Sequence, residues 1–572
     1  MFISRFISRL NAKPQSIITN LFRSRTFYDW KTRSDTIFAP ASEINRSKGS
    51  PLCIIRISGP RSTSVIKQLT SLCTTKDEPS IDMDGFFSQK VLRPRQATLS
   101  KIVDHHDGDV IDIGLVLWFP KPNSYTGEDV CELHLHGSRA VVTRILDVLG
   151  KSEGLRPAEP GEFTRRAVEN KKLTLMQAEC LPELIKAQTD QQRKLALQGL
   201  AGGTIHRYKR WIEELVRILA HLEASIDFGE DELLGEQRVV QDCIAGLMNL
   251  HLELKEFIDS SSRCRDIVQC GSRVSILGRP NAGKSTLMNL ICRQQKSIVS
   301  DLSGTTRDVI EHPLELDGYP LILSDTAGLK NLSESSVNTD DFSPGPAESL
   351  LQQHNFIELQ GIKRAVETAK RSHIILYILD ATQLMTDQGF ESTSKDLENL
   401  LRILDGDIER QGSLRYLHLI LNKIDLCANE ADKEDSYNVL EARAEKLEVK
   451  LKNAPILAGK KIDISAISCK TNRNLESVIK KISVHLRQLS SRSSSDGYEG
   501  EARSMDYVNE RHLSLLHSTL RHLDEAHRLD LATIDEMAQH VRESVDYLSR
   551  IIGNVDSDDV IDVIFRDFCI GK

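Results

Sequence analysis

The chain has 572 residues, of which 40% are hydrophobic, and this length is enough for about three or four domains of ordinary size. Its net charge of −8 at pH 7 excludes a uniformly basic nucleic-acid-binding protein, so any contact with RNA should be local. The apolar runs are far shorter than a membrane span, and the 11 cysteines include no Cys-x-x-Cys pair and no Cys/His cluster with zinc spacing. We therefore expect a soluble protein without a membrane span, from a reducing compartment and without structural disulfides.

Residues 1–34 differ in composition from the rest of the chain. Basic residues and serines are interspersed with apolar residues there, and Asp29 is the one acid. The apolar pairs at 2–3 and 6–7, with arginines close behind them, suit an amphipathic helix. This composition is typical of a mitochondrial transit peptide, although a basic disordered tail would have a similar one.

Residues 35–154 show the alternation of short strands and helices that predicts an α+β domain. The apolar segment 52–57 and the β-branched segment 111–119 predict strands, and 64–72 has the period of a helix.

Glu132, His134 and His136 alternate along a predicted strand, so their side chains should share one face. They could form a metal site, a polar small-molecule pocket or a set of structural histidines. The pocket is favoured because a His-x-His pair with one acid lacks a further ligand and an identifiable second shell.

The remainder of the chain predicts two helical parts that flank a nucleotide domain. We expect helices in 155–267, an α/β domain in 268–488, a Ser/Gly-rich linker in 489–504 and helices again in 505–572. The apolar residues of the first helical part recur at helical spacing, which predicts a packed core rather than a cofactor site. Because the nucleotide domain is inserted, the two helical parts should pack as one domain.

The stretch 278–286 reads Gly-Arg-Pro-Asn-Ala-Gly-Lys-Ser-Thr, which fits GxxxxGK[ST] and follows the apolar run 274–277. This context predicts a strand, a tight loop and a helix start, with glycines that let the backbone close round a polyphosphate. Lysine supplies charge to the outer phosphates, and the serine hydroxyl faces Mg²⁺. The predicted nucleotide-binding residues are Asn281, Ala282, Gly283, Lys284, Ser285 and Thr286.

Four later motifs occur in the order that a guanine-nucleotide site requires, and together they predict a Ras-like P-loop G domain. Asp425 would accept two hydrogen bonds from guanine N1–H and the 2-amino group, which adenine cannot supply. The motifs contribute Thr305 and Thr306 near Mg²⁺, Asp325, Thr326, Ala327 and Gly328 at the γ-phosphate, Asn422, Lys423 and Asp425 at the base, and Ser468, Cys469 and Lys470 at the guanine O6.

Leu329 stands directly after this Asp-Thr-Ala-Gly motif, where small GTPases carry a glutamine that orients water. An apolar side chain cannot orient a nucleophile, so the catalytic group must come from elsewhere. No arginine is obviously placed as an arginine finger, so a cation other than arginine should stabilise the charge of the transition state.

Beyond the first 34 residues, the chain resembles the MnmE family of tRNA-modification GTPases in its mitochondrial form. The resemblance is specific because the terminal Phe-Cys-Ile-Gly-Lys occurs together with the phosphate-loop motif. It is carried by the GTPase motifs and by residues 55–59, 123–137, 156–164, 226–228 and 568–572.

The resemblance implies an N-terminal folate-binding and dimerisation domain, a helical domain and an inserted G domain. It implies that GTP, Mg²⁺, K⁺ and 5-formyltetrahydrofolate or methylenetetrahydrofolate act with a FAD-binding MnmG-type partner, in a heterotetramer, on C5 of the wobble uridine of mitochondrial tRNA. The resemblance leaves open whether glycine or taurine supplies the amine of the added group, and it implies a location in the mitochondrial matrix.

By motif position the resemblance also assigns roles to individual residues. The family's catalytic glutamate falls on Glu358, and the terminal motif places Cys569, as a reactive thiolate or as a buried packing residue, beside a folate contact. The remaining assignments are Arg56, Glu132, Lys172 and Lys572 for folate, Ser285 and Thr306 for Mg²⁺, and Asn281, Ser300, Leu302 and Thr305 for K⁺.

Two segments depart from the family pattern. The loop 41–51 lacks most glycines of the bacterial sequences, and 331–354 is an insertion whose composition predicts disorder. The alternative to a modification enzyme is a GTP-switch scaffold that binds tRNA or rRNA without chemistry of its own.

Overall fold

The computed structural model describes residues 35–42, 49–70, 72–74, 91–228, 233–297, 311–325, 366–405, 416–427, 433–452, 461–490, 506–529, 533–553 and 571. The predicted transit segment, the insertion 331–354 and nearly all of the predicted linker lie outside these residues. The chain divides into two compact units, Met1–Thr174 with Asp556–Lys572, and Leu175–Val555. Within the described residues, no helix combines the length and the apolar composition that crossing a bilayer requires.

The first unit contains a six-stranded mixed sheet in the order β5-β6-β7-β2-β1-β8 and a small parallel pair, β3-β4. Helices α1 and α2 pack on the sheet over a core that includes Ile55, Leu133 and Ile145. The elements of this unit are β1 (Thr36–Pro40), β2 (Ser50–Ser58), α1 (Ser62–Leu69), β3 (Cys73–Thr74), β4 (Val91–Leu92), β5 (Thr98–Val103), β6 (Val110–Phe119), β7 (Val130–Gly137), α2 (Arg139–Lys151), β8 (Leu155–Pro157) and α3 (Glu162–Glu169).

The first unit extends to Thr174, beyond the predicted boundary at 154. The short strand β8 runs parallel to β1, with Pro157 opposite Phe38, and so forms one edge of the sheet. Phe163 of α3 is fully buried against Ile37 of β1. Helical periodicity signals that α3 is a helix but carries no information about which core it covers.

The second unit combines a nucleotide domain with two groups of helices. Before that domain lie α4 (Leu175–Lys186), α5 (Asp190–Leu200), α6 (Gly203–Phe228) and α7 (Leu233–Val268). The domain itself contains β9 (Ser272–Gly278), α8 (Lys284–Gln294), β10 (Lys296–Ser297), β11 (Glu311–Leu316), β12 (Tyr319–Asp325), β13 (Ile374–Asp380), α9 (Ala381–Leu384), α10 (Asp387–Asp405), β14 (Tyr416–Asn422), a 3₁₀ helix (Ile424–Leu426), α11 (Lys433–Lys452), β15 (Lys461–Ala466) and α12 (Leu475–Ser490). After it lie α13 (Glu510–Ala526) and α14 (Ile534–Ile552).

The nucleotide domain is built on a seven-stranded sheet in the order β10-β11-β12-β9-β13-β14-β15. Strands β12, β9, β13, β14 and β15 are parallel, so their carboxyl ends and the motifs that follow them meet at one edge. Ligands bind at this edge in open α/β sheets.

A tight turn joins β11 to β12 and contacts the helices that precede the nucleotide domain. Asp317 and Gly318 both have positive φ, of 52° and 83°, as a two-residue hairpin of right-handed twist requires. The Gly318 carbonyl accepts a hydrogen bond of 3.1 Å from the backbone N–H of Gln191 in α5. The sheet is therefore tied to the helical region at the end of β12 opposite its motif.

The helices on the two sides of the nucleotide domain share one hydrophobic core. Tyr208 and Trp211 of α6 and Phe257 of α7 form edge-to-face or tilted ring contacts at 5.1–6.0 Å. Leu516 of α13 and Val541 of α14 are fully buried in the same cluster.

A buried ion-pair network joins α4 to α13. The Glu179 carboxylate, 7% exposed, lies 2.7 Å from Arg511 Nε and 2.7 Å from His512 Nε2. Burial acts to raise the pKa of Glu179, but His512 and Arg511 outweigh it and lower that pKa from its usual 4.5 to about 2. For His512 itself burial outweighs the opposing effect of Glu179 and lowers the pKa, whereas the Arg511 guanidinium stays charged.

We expect Glu179→Gln to lower the free energy of unfolding by about 3–5 kcal/mol, because it leaves the Arg511 charge without its buried partner. Because folding depresses the pKa of Glu179, its ionised carboxylate stabilises the folded state fully above the usual pKa of 4.5. This stabilisation is lost as the pH falls towards 2 and the folded protein binds the proton. Urea unfolding followed by circular dichroism at several pH values measures both effects.

Glu223→Gln is the matched control. Its exposed pair with Arg542, at 3.0 Å, also joins helices from the two sides of the nucleotide domain. An exposed pair contributes only about 0–1 kcal/mol. Equal destabilisation by the two variants would contradict the role assigned to the Glu179 network.

Candidate functional site

The phosphate loop is shaped by two glycines at positions where no side chain fits. Gly278, with φ of 149°, ends β9, and a Cβ there would lie 2.3 Å from the Ile378 carbonyl oxygen of β13. Gly283, with φ of 106°, directly precedes α8, and its Cβ would lie 2.2 Å from Asn422 Nδ2. The loop therefore turns tightly from β9 into α8 and presents the helix N-terminus at the carboxyl edge of the sheet.

The predicted phosphate residues occupy this loop and the first turn of α8. Lys284 is 8% exposed and its Nζ donates to the Arg279 carbonyl at 3.0 Å, so its charge is held beside the loop backbone. Ser285 and Thr286 face solvent, Ala282 is buried, and Asn281 is exposed with φ of 60°. Free N–H groups and the dipole at a helix N-terminus favour an anion at this position.

Arg279, the arginine within the loop, is held by α10. Its Nε donates to Asp396 at 2.7 Å and its Nη2 donates to Ser392 at 2.6 Å. These contacts anchor the loop to α10 and leave the Arg279 guanidinium engaged there.

Asn422 ties the base-recognition loops to the phosphate loop. Its Nδ2 donates to the Ala282 carbonyl at 2.8 Å, and its Oδ1 accepts from the backbone N–H of Cys469 at 3.0 Å. Asn422 is 3% exposed, so both amide atoms are used within the protein. Asn422 therefore links the end of β14 to the phosphate loop and to the loop that carries Cys469.

Asp425 is presented by the 3₁₀ helix after β14. Its Oδ1 accepts a hydrogen bond of 2.6 Å from Ser468 Oγ, which fixes the carboxylate. Lys423, with φ of 68°, places its Nζ 2.8 Å from Asp380 Oδ2. These contacts orient the side chains at the predicted base site before any nucleotide binds.

The Cys469 thiol has no ionised role in this arrangement, because burial raises its pKa to about 11, with a smaller contribution from Asp425. The side chain is 7% exposed, and Lys470 beside it is exposed. The buried Cys469 side chain thus leaves the backbone of this loop and Lys470 as the parts that can contact a base.

Of the predicted residues after the phosphate loop, Asp325 is described and several others lie outside the described ranges. Asp325 ends β12 opposite Ile276 of β9, which puts its backbone beside the phosphate-loop strand. The predicted residues outside the described ranges are Ser300, Leu302, Thr305, Thr306, Thr326, Ala327, Gly328, Glu358, Cys569 and Lys572.

A second polar site lies in the first unit, where Arg56 of β2 is the direct cross-strand partner of Glu132 of β7. Arg56 Nε and Nη2 both lie 3.0 Å from Glu132 Oε1. The guanidinium also lies over the rings of Tyr125 and Phe163, at 5.4 and 5.8 Å from their centroids. A cation, a carboxylate and two aromatic rings therefore meet at one place.

The C-terminal segment reaches the same place through Gly571. Its carbonyl oxygen accepts from Arg56 Nη1 at 3.4 Å. Gly571 has φ of 98°, and a Cβ there would lie 2.0 Å from the Pro40 carbonyl oxygen, so a larger residue does not fit. Gly571, two positions after Cys569, is thus the described residue of the terminal motif that contacts Arg56.

Of the other predicted residues in the first unit, His134 contacts this pair through Glu132, whereas Lys172 and His136 do not contact it. Lys172 follows α3 with an exposed side chain, and among the described residues it makes no hydrogen bond or ion pair with Arg56 or Glu132. His134 Nε2 lies 3.3 Å from Glu132, whereas His136 Nδ1 lies 2.9 Å from Asp112. Because the histidines have separate partners, the part of the chain that the structure describes does not form the metal site considered as an alternative.

Sequence reasoning missed Tyr125 and Phe163 as members of this site. Both occur in segments that carry the family resemblance, which was the available signal. Their contact with Arg56 depends on the pairing of β2 with β7 and on the placement of α3, which motifs alone do not show.

A phosphate loop tied to an Asn-Lys-x-Asp loop, within a domain inserted between packed helices, defines a multidomain P-loop GTPase. The family model described as the MnmE helical domain matches residues 175–569, and that of the GTP-binding protein TrmE N-terminus matches 36–172. The chain belongs to the MnmE family, and it is a GTP hydrolase that acts in tRNA modification.

The curated relatives match nearly the whole chain. The 5-taurinomethyluridine-[tRNA] synthase subunit GTPB3, mitochondrial, of Danio rerio is 33% identical over 97% of each chain. The human protein of that name is 34% identical over 94% of this chain and 93% of its own. The tRNA modification GTPase MnmE of Caulobacter vibrioides is 34% identical over 94% of this chain and 100% of its own. These names do not favour the scaffold alternative.

Proposed function

We propose that this GTPase, with a FAD-dependent MnmG-type partner and a one-carbon tetrahydrofolate, modifies C5 of the wobble uridine, position 34, of mitochondrial tRNAs. The observation that carries the proposal is the convergence of Arg56, Glu132 and Gly571. A protein that only switches between GTP and GDP states would not need Gly571 of its terminal motif beside this Arg–Glu pair. The added group is of the carboxymethylaminomethyl or taurinomethyl type.

The chemistry of the groups around Arg56 supports a folate as the ligand. A carboxylate such as Glu132 can accept hydrogen bonds from the pterin 2-amino edge, and cations suit the carboxylates of the glutamate tail. Tyr125 and Phe163 supply flat apolar faces for a ring system. We assign Arg56, Glu132, Lys172 and Lys572 to this ligand, and 5-formyltetrahydrofolate or methylenetetrahydrofolate supplies the one-carbon unit when bound.

In the G domain we assign Mg²⁺ to the hydroxyls of Ser285 and Thr306, and the orientation of attacking water to Glu358. A K⁺ ion beside the phosphates would be held by Asn281 together with Ser300, Leu302 and Thr305. The exposed position of Asn281 in the phosphate loop supports this assignment, and so does the engagement of Arg279 with Asp396. A monovalent cation can supply the charge that a finger arginine supplies elsewhere.

We expect GTP hydrolysis to require K⁺ and to be slow in Na⁺, because the smaller ion does not span the same oxygen ligands. Asn281→Gly should lose the K⁺ stimulation, since glycine keeps the positive φ but removes the side-chain oxygen. Asn281→Asp, which keeps an oxygen, is the matched control. Turnover in KCl and NaCl measures the effect, and equal rates for the unaltered protein in both salts would contradict it.

The proposal places the protein in the mitochondrial matrix, as a homodimer through the N-terminal domain and in a heterotetramer with the MnmG-type partner. Relatives named as mitochondrial support the organelle. The composition of residues 1–34 agrees with import.

Mass spectrometry of mitochondrial tRNA from cells that lack the protein tests the proposed reaction. Wobble uridines should lose the C5 group and should regain it when the intact chain is restored. Other modified nucleosides of the same tRNAs serve as internal controls. Unchanged wobble uridines together with a defect in ribosome assembly would support the scaffold alternative instead.

A further inference from the structure

Helices α13 and α14 carry the same short pattern, histidine followed three positions later by glutamate. The pattern occurs as His522-Leu-Asp-Glu525 in α13 and as His540-Val-Arg-Glu543 in α14. Residues three apart lie on one helical face, and the two helices pack against each other in the helical core. The four side chains consequently meet at the surface between the helices, in the second unit and remote in sequence from every nucleotide motif.

Three atoms of this cluster surround one point. The Nδ1 atoms of His522 and His540 are 3.1 Å apart. Glu525 Oε2 lies 3.8 Å from the first and 3.5 Å from the second. A point equidistant from the three atoms is about 2 Å from each, which is the length of a Zn–N or Zn–O bond.

Glu543 fixes the ring of His522 in the orientation that a metal ligand needs. Its Oε2 lies 3.1 Å from His522 Nε2, so this nitrogen carries the proton and Nδ1 presents its lone pair. Arg521 Nη2 also lies 3.4 Å from Nε2, but a guanidinium has only protons to offer, and the closer carboxylate sets the tautomer. Tyr547 stacks on the same ring at 5.5 Å.

The cluster is open on one side. The His522 side chain is 8% exposed, while those of His540 and Glu525 are 27% and 46% exposed. This exposure leaves an entry path and a fourth coordination position for water or for a group from another molecule. The carboxylates of Glu525 and Glu543 offset the charge of a divalent ion.

We propose that His522, His540 and Glu525 bind one Zn²⁺ ion, with Glu543 as the partner that positions His522. Two imidazoles and one carboxylate are a donor set that Zn²⁺ prefers. The ion would link α13 to α14 and so brace the helices that follow the nucleotide domain.

Zinc titration of the full-length protein tests the proposal. The protein is stripped with a chelator, kept reduced, and saturated with GDP and Mg²⁺ so that the nucleotide site takes up no zinc. Competition with a chromophoric chelator should show one site per chain, and Zn²⁺ should raise the melting temperature. His540→Gln should abolish both effects, and Glu543→Gln should weaken binding about 10–100-fold.

His517→Gln is the matched control, because His517 lies on α13 and its Nδ1 is paired with the Leu513 carbonyl at 2.7 Å. It should bind zinc as the unaltered protein does. If His540→Gln fails to fold, Glu525→Gln replaces it, because Glu525 is more exposed and its substitution should also abolish zinc binding. Unchanged zinc affinity in these variants would overturn the site, and absence of tight binding by the unaltered protein would show that the two rings share an N–H···N hydrogen bond instead.

Discussion

Asp425→Asn is expected to lower the affinity for GTP by about 10²–10⁴-fold, because two hydrogen bonds to a charged acceptor are lost and each is worth about 1.5–3 kcal/mol. The carboxylate is already oriented by Ser468 at 2.6 Å, so it spends little ordering entropy when guanine binds. An asparagine amide presents a donor where guanine also presents donors. Titration with a fluorescent GTP analogue measures the loss.

The same variant should gain affinity for xanthosine triphosphate, whose 2-carbonyl oxygen can accept from the asparagine amide. Asp387→Asn is the matched control, since the Asp387 side chain is 97% exposed and pairs with Arg443 away from the motifs. If Asp425→Asn bound GTP within a few-fold of the unaltered protein, another group would have to read the base.

Cys569→Ser is expected to abolish wobble-uridine modification while GTP hydrolysis and folate binding persist. Gly571, two positions later, contacts Arg56, so the terminal segment reaches the proposed folate pocket. A thiolate whose pKa is lowered by nearby cations can act as a nucleophile or as an acid/base, whereas a serine hydroxyl is a far weaker nucleophile. Mass spectrometry of position 34 and a GTPase assay on the same preparation separate the two activities.

Cys270→Ser, at an exposed cysteine of the second unit, controls for general loss of a thiol. Gly571→Ala keeps Cys569 but would place a Cβ 2.0 Å from the Pro40 carbonyl oxygen, so the segment must move away from Arg56. It should therefore reproduce the loss of modification. Full modification by Cys569→Ser would make Cys569 a packing residue.

Sequence motifs predicted those parts of the protein whose geometry depends on residues close together in the sequence. The phosphate loop is such a part, because Gly278 and Gly283 set a backbone path that few sequences other than this motif allow. Asn422 shows what a sequence motif does not predict. Its motif indicates the base site, yet its amide binds the carbonyl of Ala282, 140 positions earlier, and only the order of the strands brings the two together.

Contacts between residues far apart in the sequence also explain why the domain boundary and the histidine cluster were not predicted. Whether α3 belongs to the first or the second core depends on the pairing of β8 with β1, a contact between strands far apart in the chain. His522 and His540 each look like ordinary surface residues of a helix. Their proximity follows from the way α13 and α14 face each other, which periodicity does not determine.

Strand β12 connects the predicted phosphate site to the helical region. One end is Asp325, where the motif of the γ-phosphate begins, and beyond its other end lies Gly318, which is bonded to Gln191 of α5. The strand is about 20 Å long and is hydrogen-bonded on both sides, to β11 and β9, so it resists stretching and bending. The strand is therefore a stiff link between the end at which the predicted γ-phosphate motif begins and the helical region at α5.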